Sequence, residues 1–139
     1  LRGKSRRLQS ERGLDLLIVD YLQLIDTGHN DNRAVALGEV SRSLKGLARE
    51  LDIPVLACAQ LSRAAEQRPN HRPLLSDLRE SGSIEQDADV VLLLHRTEES
   101  KDKDSICVHL AKNRNGPGGK VNLTFEKAFG RFKLPERLN

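Results

Sequence analysis

Leu14-Asp15-Leu16-Leu17-Ile18-Val19-Asp20 is an apolar run that closes on a carboxylate. A continuous run of this kind reads as a strand buried on both faces of a parallel sheet. An aspartate is rarely buried without a partner. The C-terminal ends of parallel strands are also where α/β proteins bind ligands. Strand-then-Asp is the Walker B arrangement, in which the carboxylate helps to hold the Mg²⁺ of a bound nucleotide. Taken alone the pattern is weak, because any core strand that surfaces at an acidic residue would share it. Its neighbours in the chain have to discriminate.

Working outward, residues 1–12 have the look of a basic helix. Tyr21 to Ile25 would extend the strand, and a polar loop over 26–32 offers Asn30, Asp31 and Asn32 as helix caps. Leu37, Val40, Leu44, Leu47, Ala48 and Leu51 recur at three- and four-residue steps, one face of an amphipathic helix, with Gly38 and Gly46 weakening it. Pro54 opens a second buried strand, Val55 to Ala59, ending at Gln60. Leu61 to Pro73 is aperiodic, a long loop of the kind that carries function or moves. Short helical turns over Ser76–Arg79 and Ser83–Asp87 precede a third apolar strand, Val90 to Leu94, and a charged connection, Glu98 to Asp104. Ile106, Val108 and Leu110 alternate with polar or small residues, as do Val121, Leu123 and Phe125. Asn115-Gly116-Pro117-Gly118-Gly119 between them predicts a β-hairpin. The expected architecture is α/β, a mostly parallel sheet with a C-terminal antiparallel hairpin, in one domain or a large piece of one over 1–139.

Composition narrows the partners only a little. With 31% charged residues, 3% aromatics and no Trp or Met, the core must be built from Leu, Ile, Val and Ala. The net charge is +3, but Arg2, Lys4, Arg6, Arg7 and Arg12 crowd one end and Lys127, Arg131, Lys133 and Arg137 the other. Solvated faces and a nucleic-acid surface explain such clusters equally well. Cys58 and Cys107 sit in apolar runs with no second ligand at metal spacing, which predicts buried thiols in a reducing compartment. No run approaches the ~18 apolar residues of a membrane span, and no secretory signal is visible. A cytoplasmic protein is expected.

Four places carry candidate chemistry. Asp20 would sit on the metal side of a nucleotide. Gln60, with a donor and an acceptor, suits sensing a γ-phosphate or positioning water, although a satisfied strand-end amide looks the same. His95, at the third strand end, has no partner at metal or triad spacing and reads as structural. In Lys112-Asn113-Arg114-Asn115-Gly116 two cations at i and i+2 of an extended segment share a face. They could clamp a polyphosphate, with Arg114 as an arginine finger, or simply keep a hairpin edge from aggregating. Asp77-Leu78-Arg79-Glu80-Ser81-Gly82-Ser83 places small residues beside a cation, suited to a nucleic-acid backbone and equally to a helix cap. No aromatic is near to stack bases, so no sequence preference is implied. Gly3-Lys4-Ser5 mimics the end of a phosphate-binding loop, but its first Gly would precede Leu1 and no strand leads into it.

In order and spacing these residues resemble the motor domain of the DnaB family, the hexameric replicative DNA helicases of bacteria. The carrying stretches are Leu17 to Ile25, Ala59-Gln60-Leu61-Ser62-Arg63, Leu75 to Asp89, and Lys112-Asn113-Arg114-Asn115-Gly116. The resemblance implies a partial RecA-like P-loop NTPase core with ATP sites between neighbouring subunits of a homohexamer. It implies Asp20 acting on Mg²⁺ through water, and Gln60 sensing the γ-phosphate. Lys112, Asn113 and Arg114 would reach the next subunit's nucleotide, and Arg79, Glu80 and Gly82 would grip single-stranded DNA. Primase and a helicase loader are the implied partners, 5′→3′ unwinding the implied work, and a bacterial or phage replisome the implied setting. The family's phosphate-binding loop, catalytic glutamate and primase-engaging N-terminal domain would lie upstream, so this chain alone is expected to bind ATP poorly and not to hydrolyse it. Two other readings stay open: a phage or recombination RecA-like ATPase, and a standalone non-catalytic module donating Lys112 and Arg114 in trans.

Overall fold

The computed structural model describes residues 1–25, 33–68, 71–96 and 104–134, excluding the side chains of residues 33 and 79–82. The cap candidates Asn30, Asp31 and Asn32 and most of the charged connection before Asp104 lie outside these residues. The chain forms two compact units, residues 1–60 with 78–88, and residues 61–77 with 89–139.

The first unit contains helices α1 (Arg2–Arg12), α2 (Arg33–Leu51) and α3 (Gly82–Asp87), and strands β1 (Leu17–Val19) and β2 (Val55–Ala57). The strands pair in parallel, Leu17 with Val55, Ile18 with Leu56 and Val19 with Ala57. α2 follows the sequence pattern: Leu37, Leu44 and Leu47 are buried along one face. Val19, Leu22, Leu37, Leu44 and Ile84 form the core cluster, with Leu17, Ile25, Val40, Val55 and Ala59 packed against it.

Two expectations fail here for the same reason. The strands are not buried on both faces: Ile18 and Leu56 are 58% and 49% exposed, and Cys58 is exposed rather than a core thiol. Successive side chains of a strand point to opposite faces, and α2 and α3 cover only the Val19 side. β1 also stops at Val19 instead of running to Ile25. The chain turns through a 3₁₀ segment, Leu22–Leu24, because the Leu22 N–H donates to the Cys58 carbonyl at 2.9 Å while the Leu22 side chain enters the core.

Gly38 has a packing role that periodicity could not reveal. A Cβ there would meet Ser83 Oγ at 2.5 Å and Ser83 Cβ at 3.1 Å, so the missing side chain lets α3 approach α2. Gly46 faces open space. Gly46→Ala is therefore expected to stabilise the protein by about 1 kcal/mol. Gly38→Ala should destabilise it unless Ser83 is shortened too. Chemical denaturation of the two variants and of Gly38→Ala/Ser83→Ala checks the contrast.

α1 is held to α2 by charge. Arg2 Nη2 and Arg6 Nη2 each donate to Glu50 Oε2 at 2.9 Å, and Arg6 and then Arg2 pull the Glu50 carboxyl down to about 2. Gly3-Lys4-Ser5 lies within α1, with Ser5 buried and its hydroxyl bonded to the Leu1 carbonyl. It is helix and not a phosphate loop. Gly13 ends α1 at φ +79°, a conformation costly for other residues.

The second unit is built on an antiparallel sheet in the order β3 (Val90–Arg96), β4 (Ser105–Asn113), β5 (Gly119–Glu126), β6 (Arg131–Lys133). The expected hairpin is β4–β5. β3, expected in the parallel sheet, pairs antiparallel with β4 instead. Val91 and Leu93 are buried, whereas Val90, Leu92 and Leu94 are about half exposed. A run of five apolar residues conceals that alternation, and an apolar run does not say which strand it will pair with. The α/β class stands, with parallel pairing confined to β1–β2 among the described strands. β6, missed in the sequence, docks through Phe125 and Phe132, whose ring centroids lie 4.8 Å apart. Cys107 is buried as expected.

Both basic clusters are largely paired. Arg2 and Arg6 bind Glu50, Arg7 binds Glu11, Lys127 binds Asp104, and Arg131 and Lys133 share Glu126. That favours solvated, ion-paired faces over a nucleic-acid surface. No helix among the described residues is long and apolar enough to cross a membrane.

Candidate functional site

The parallel pair brings Asp20 and Gln60 to one sheet end. Cys58 N donates to Val19 O at 2.9 Å, so β2 is still bonded to β1 one residue before Asp20 and two before Gln60. Asp20 is exposed and makes no ion pair with any described residue. Gln60 is exposed as well. Its backbone is engaged, while its side chain has no partner among the described residues: Gln23 Nε2 donates to Gln60 O and Gln60 N donates to Gln23 Oε1, each at 3.3 Å. A carboxylate and a carboxamide, each without a side-chain partner among the described residues, thus leave adjacent strand ends in the same unit.

This donor set suits Mg²⁺ bound with phosphate. Mg²⁺ keeps several waters and takes one or two carboxylates plus substrate phosphates, in place of an all-protein cage. No cluster of three or more His, Cys, Asp or Glu side chains able to hold a metal occurs among the described residues. Asp20, exposed and unpaired among the described residues, is the group such an ion would use.

Lys112, Asn113 and Arg114 come together at the end of β4, in the second unit. Arg114 is held by Asp89. Its N–H donates to the Asp89 carbonyl at 2.8 Å, and its Nε lies 3.2 Å from Asp89 Oδ1, with both side chains about half exposed. An exposed pair of this kind is worth about 1 kcal/mol or less, and it orients the guanidinium. Asn113 serves the turn: its Nδ2 donates to Pro117 O at 3.3 Å and its Oδ1 accepts from Asn115 N at 3.4 Å. Gly118 is required beside it, because a Cβ there would meet the Leu110 carbonyl at 2.8 Å.

The segment expected to grip DNA begins as a 3₁₀ turn, Leu75–Ser81, and passes into α3. The side chains of Arg79 and Glu80 lie outside the description, as do those of 81 and 82. What holds the start of the turn is well defined. Arg68 donates to both oxygens of Asp77 at 2.6 and 2.7 Å, and also to the Arg72 carbonyl at 3.0 Å. Asp77 Oδ2 accepts from Leu74 N at 2.7 Å, and Asp77 O accepts from Ser62 N at 3.0 Å. Asp77 is buried, and its hydrogen bonds from Arg68 hold its carboxyl below the usual carboxylate range despite the cost of burial. Sequence reasoning missed Gln23, Arg68 and Asp89. Each acts through tertiary contacts that no local spacing announces.

The chain is similar to known proteins over nearly its whole length. The profile of the DnaB-like helicase C terminal domain matches residues 1–134. Replicative DNA helicase DnaB of Geobacillus stearothermophilus is 51% identical over 99% of this chain, and replicative DNA helicase DnaC of Bacillus subtilis (strain 168) is 50% identical over 99%. The chain spans 32% of the length of each. Among solved structures, one described as an ATPase domain superposes at TM-score 0.88 with 44% identity, covering 97% of this chain and 50% of that one. A DnaB-like replicative helicase, described with its interactions with primase, gives the same score and identity, and 35% of it is covered.

The fold is that of a segment of a RecA-like domain. The chain belongs to the DnaB-like helicase C-terminal domain family.

Proposed function

We propose that this chain is the C-terminal part of the motor domain of an ATP-driven, hexameric replicative DNA helicase that moves on single-stranded DNA. The observation that carries the reading is the pair of free groups, Asp20 and Gln60, on adjacent strand ends of a parallel sheet. In this scheme ATP and Mg²⁺ are the cofactors. Bound there, the metal would offset phosphate charge, and Asp20 would help to hold it as an anionic acceptor. Gln60 donates from its carboxamide to the γ-phosphate or orients the attacking water, and so reports whether that phosphate is present. Lys112 and Arg114 supply positive charge to the nucleotide of a neighbouring subunit, with Asn113 holding the turn that presents them. Arg79, Glu80 and Gly82 meet the DNA backbone, which a motor must grip irrespective of sequence. Glu80 is better suited to orienting a cation than to touching phosphate. Primase and a loader are the partners proposed for the whole protein, in a bacterial or phage replisome.

The direct test is Asp20→Asn in the full-length protein that carries this segment. The amide keeps the size and loses the charge, so DNA-stimulated ATP hydrolysis is expected to fall at least 10²-fold, on the scale of losing one preorganised electrostatic contact. Nucleotide-independent ring assembly should persist. Turnover within a few-fold of wild type would remove Asp20 from the site. The 139-residue chain alone, which contains no complete phosphate loop, should show no multiple turnover of ATP.

A further inference from the structure

We infer that Gln23 is a positioning residue for ATP hydrolysis, holding Gln60 in place by replacing a missing rung of the sheet. The inference rests on the role proposed above for Gln60.

The backbone ladder between β1 and β2 ends with Cys58 N donating to Val19 O and Leu22 N donating to Cys58 O, both at 2.9 Å. Beyond that point the chain after Asp20 has turned into Leu22–Leu24 and offers no strand to pair with residue 60. A side-chain amide carries the same donor and acceptor as a peptide group. Gln23 uses both, accepting from Gln60 N and donating to Gln60 O, each at 3.3 Å. Gripped at its N–H and its C=O, residue 60 is fixed at the backbone while its side chain stays exposed and without a partner among the described residues.

The grip is itself anchored. Leu22 is 2% exposed in the core of the first unit, and Gln23 follows it directly, three residues after Asp20. One short turn therefore sets the position of the candidate metal-side carboxylate and, through Gln23, of the candidate γ-phosphate sensor. Misplacing a reacting or sensing group by a fraction of its contact distance lowers the rate more than it lowers binding. The chemistry needed is narrow. Glu keeps the acceptor but presents a second lone-pair oxygen to the Gln60 carbonyl, and Leu supplies neither bond.

The experiment compares Gln23→Glu, Gln23→Leu, Gln60→Ala and Gln23→Leu/Gln60→Ala in the full-length helicase. It measures kcat and KM for ATP at saturating single-stranded DNA, with ring state and melting temperature recorded for each. Both Gln23 variants are expected to lose roughly tenfold in kcat, the scale of one or two hydrogen bonds. KM should stay within about twofold, with the ring and melting temperature unchanged, and Gln23→Leu should add no further loss to Gln60→Ala. Normal kcat in both Gln23 variants beside an impaired Gln60→Ala overturns the inference and leaves the proposed function standing. So does a further loss in the double variant, a change confined to KM, or a loss that follows ring dissociation or a lowered melting temperature. If Gln60→Ala itself turns over normally, the Gln60 assignment falls and this inference falls with it.

Discussion

Arg114→Ala in the full-length protein is expected, under the proposed function, to reduce DNA-stimulated ATP hydrolysis by about 10³–10⁵-fold, the range over which arginine fingers act in related phosphoryl-transfer systems. In the proposed role the guanidinium would meet charge that develops only in the transition state, so ground-state nucleotide affinity should change far less. The structure supports a selective effect. Arg114 lies on the surface at the end of β4, and its side chain contributes a half-exposed pair with Asp89, worth about 1 kcal/mol at most. Its backbone bond to Asp89 O survives the substitution. Folding and ring assembly should therefore be intact by thermal melt and sizing. Arg114→Lys should rescue little, since an ammonium cannot reproduce the planar fork. A variant with near-normal turnover would take Arg114 out of the role.

Asp77→Ala should have the largest effect on stability. It leaves the Arg68 guanidinium without its bidentate acceptor and frees the Leu74 N–H. Breaking a buried pair costs on the order of 3–5 kcal/mol, and Arg68 keeps 29% of its side-chain exposure, which puts the expected loss near the lower end, about 3 kcal/mol. Faster amide exchange at Ser62 and Leu74 is the local signature. Unchanged exchange at both amides would refute the staple. The pH dependence has a definite sign. Asp77 has a folded pKa below its unfolded value, so its contribution is fully present above about pH 4. It is lost as pH falls through the folded value, and Asp77→Ala should flatten that part of the acid-stability profile.

Much of this was legible in the sequence because the informative elements are local. The strand ending in Asp20, the periodic face of α2 and the Gly/Pro turn between β4 and β5 each announce themselves within a short window. The four motifs in order were enough to suggest the family. What stayed hidden depends on partners distant in sequence. Ile18, Leu56 and Cys58 read as core, and only the placement of α2 and α3 shows that one face is covered. Val90 to Leu94 reads as a parallel strand because an apolar run carries no record of its neighbour's direction. Gly38 looks like a flaw in a helix until Ser83 is seen against it. Gln23, three residues from the decisive carboxylate, looks like an ordinary polar residue on a strand until the chain turns and its amide meets Gln60.

Under the proposed function, Asp20 and Arg114 serve one ATP from two subunits of a ring. The most direct measurement mixes full-length Asp20→Asn and Arg114→Ala subunits, each inactive alone, under conditions that exchange subunits. Where an Arg114→Ala subunit contributes its intact Asp20 and an Asp20→Asn neighbour contributes its intact Arg114, a complete site forms, so hydrolysis should reappear and rise with the proportion of mixed interfaces. If verified mixed rings stay as inactive as either parent, the two residues do not complete a shared site and the account is wrong.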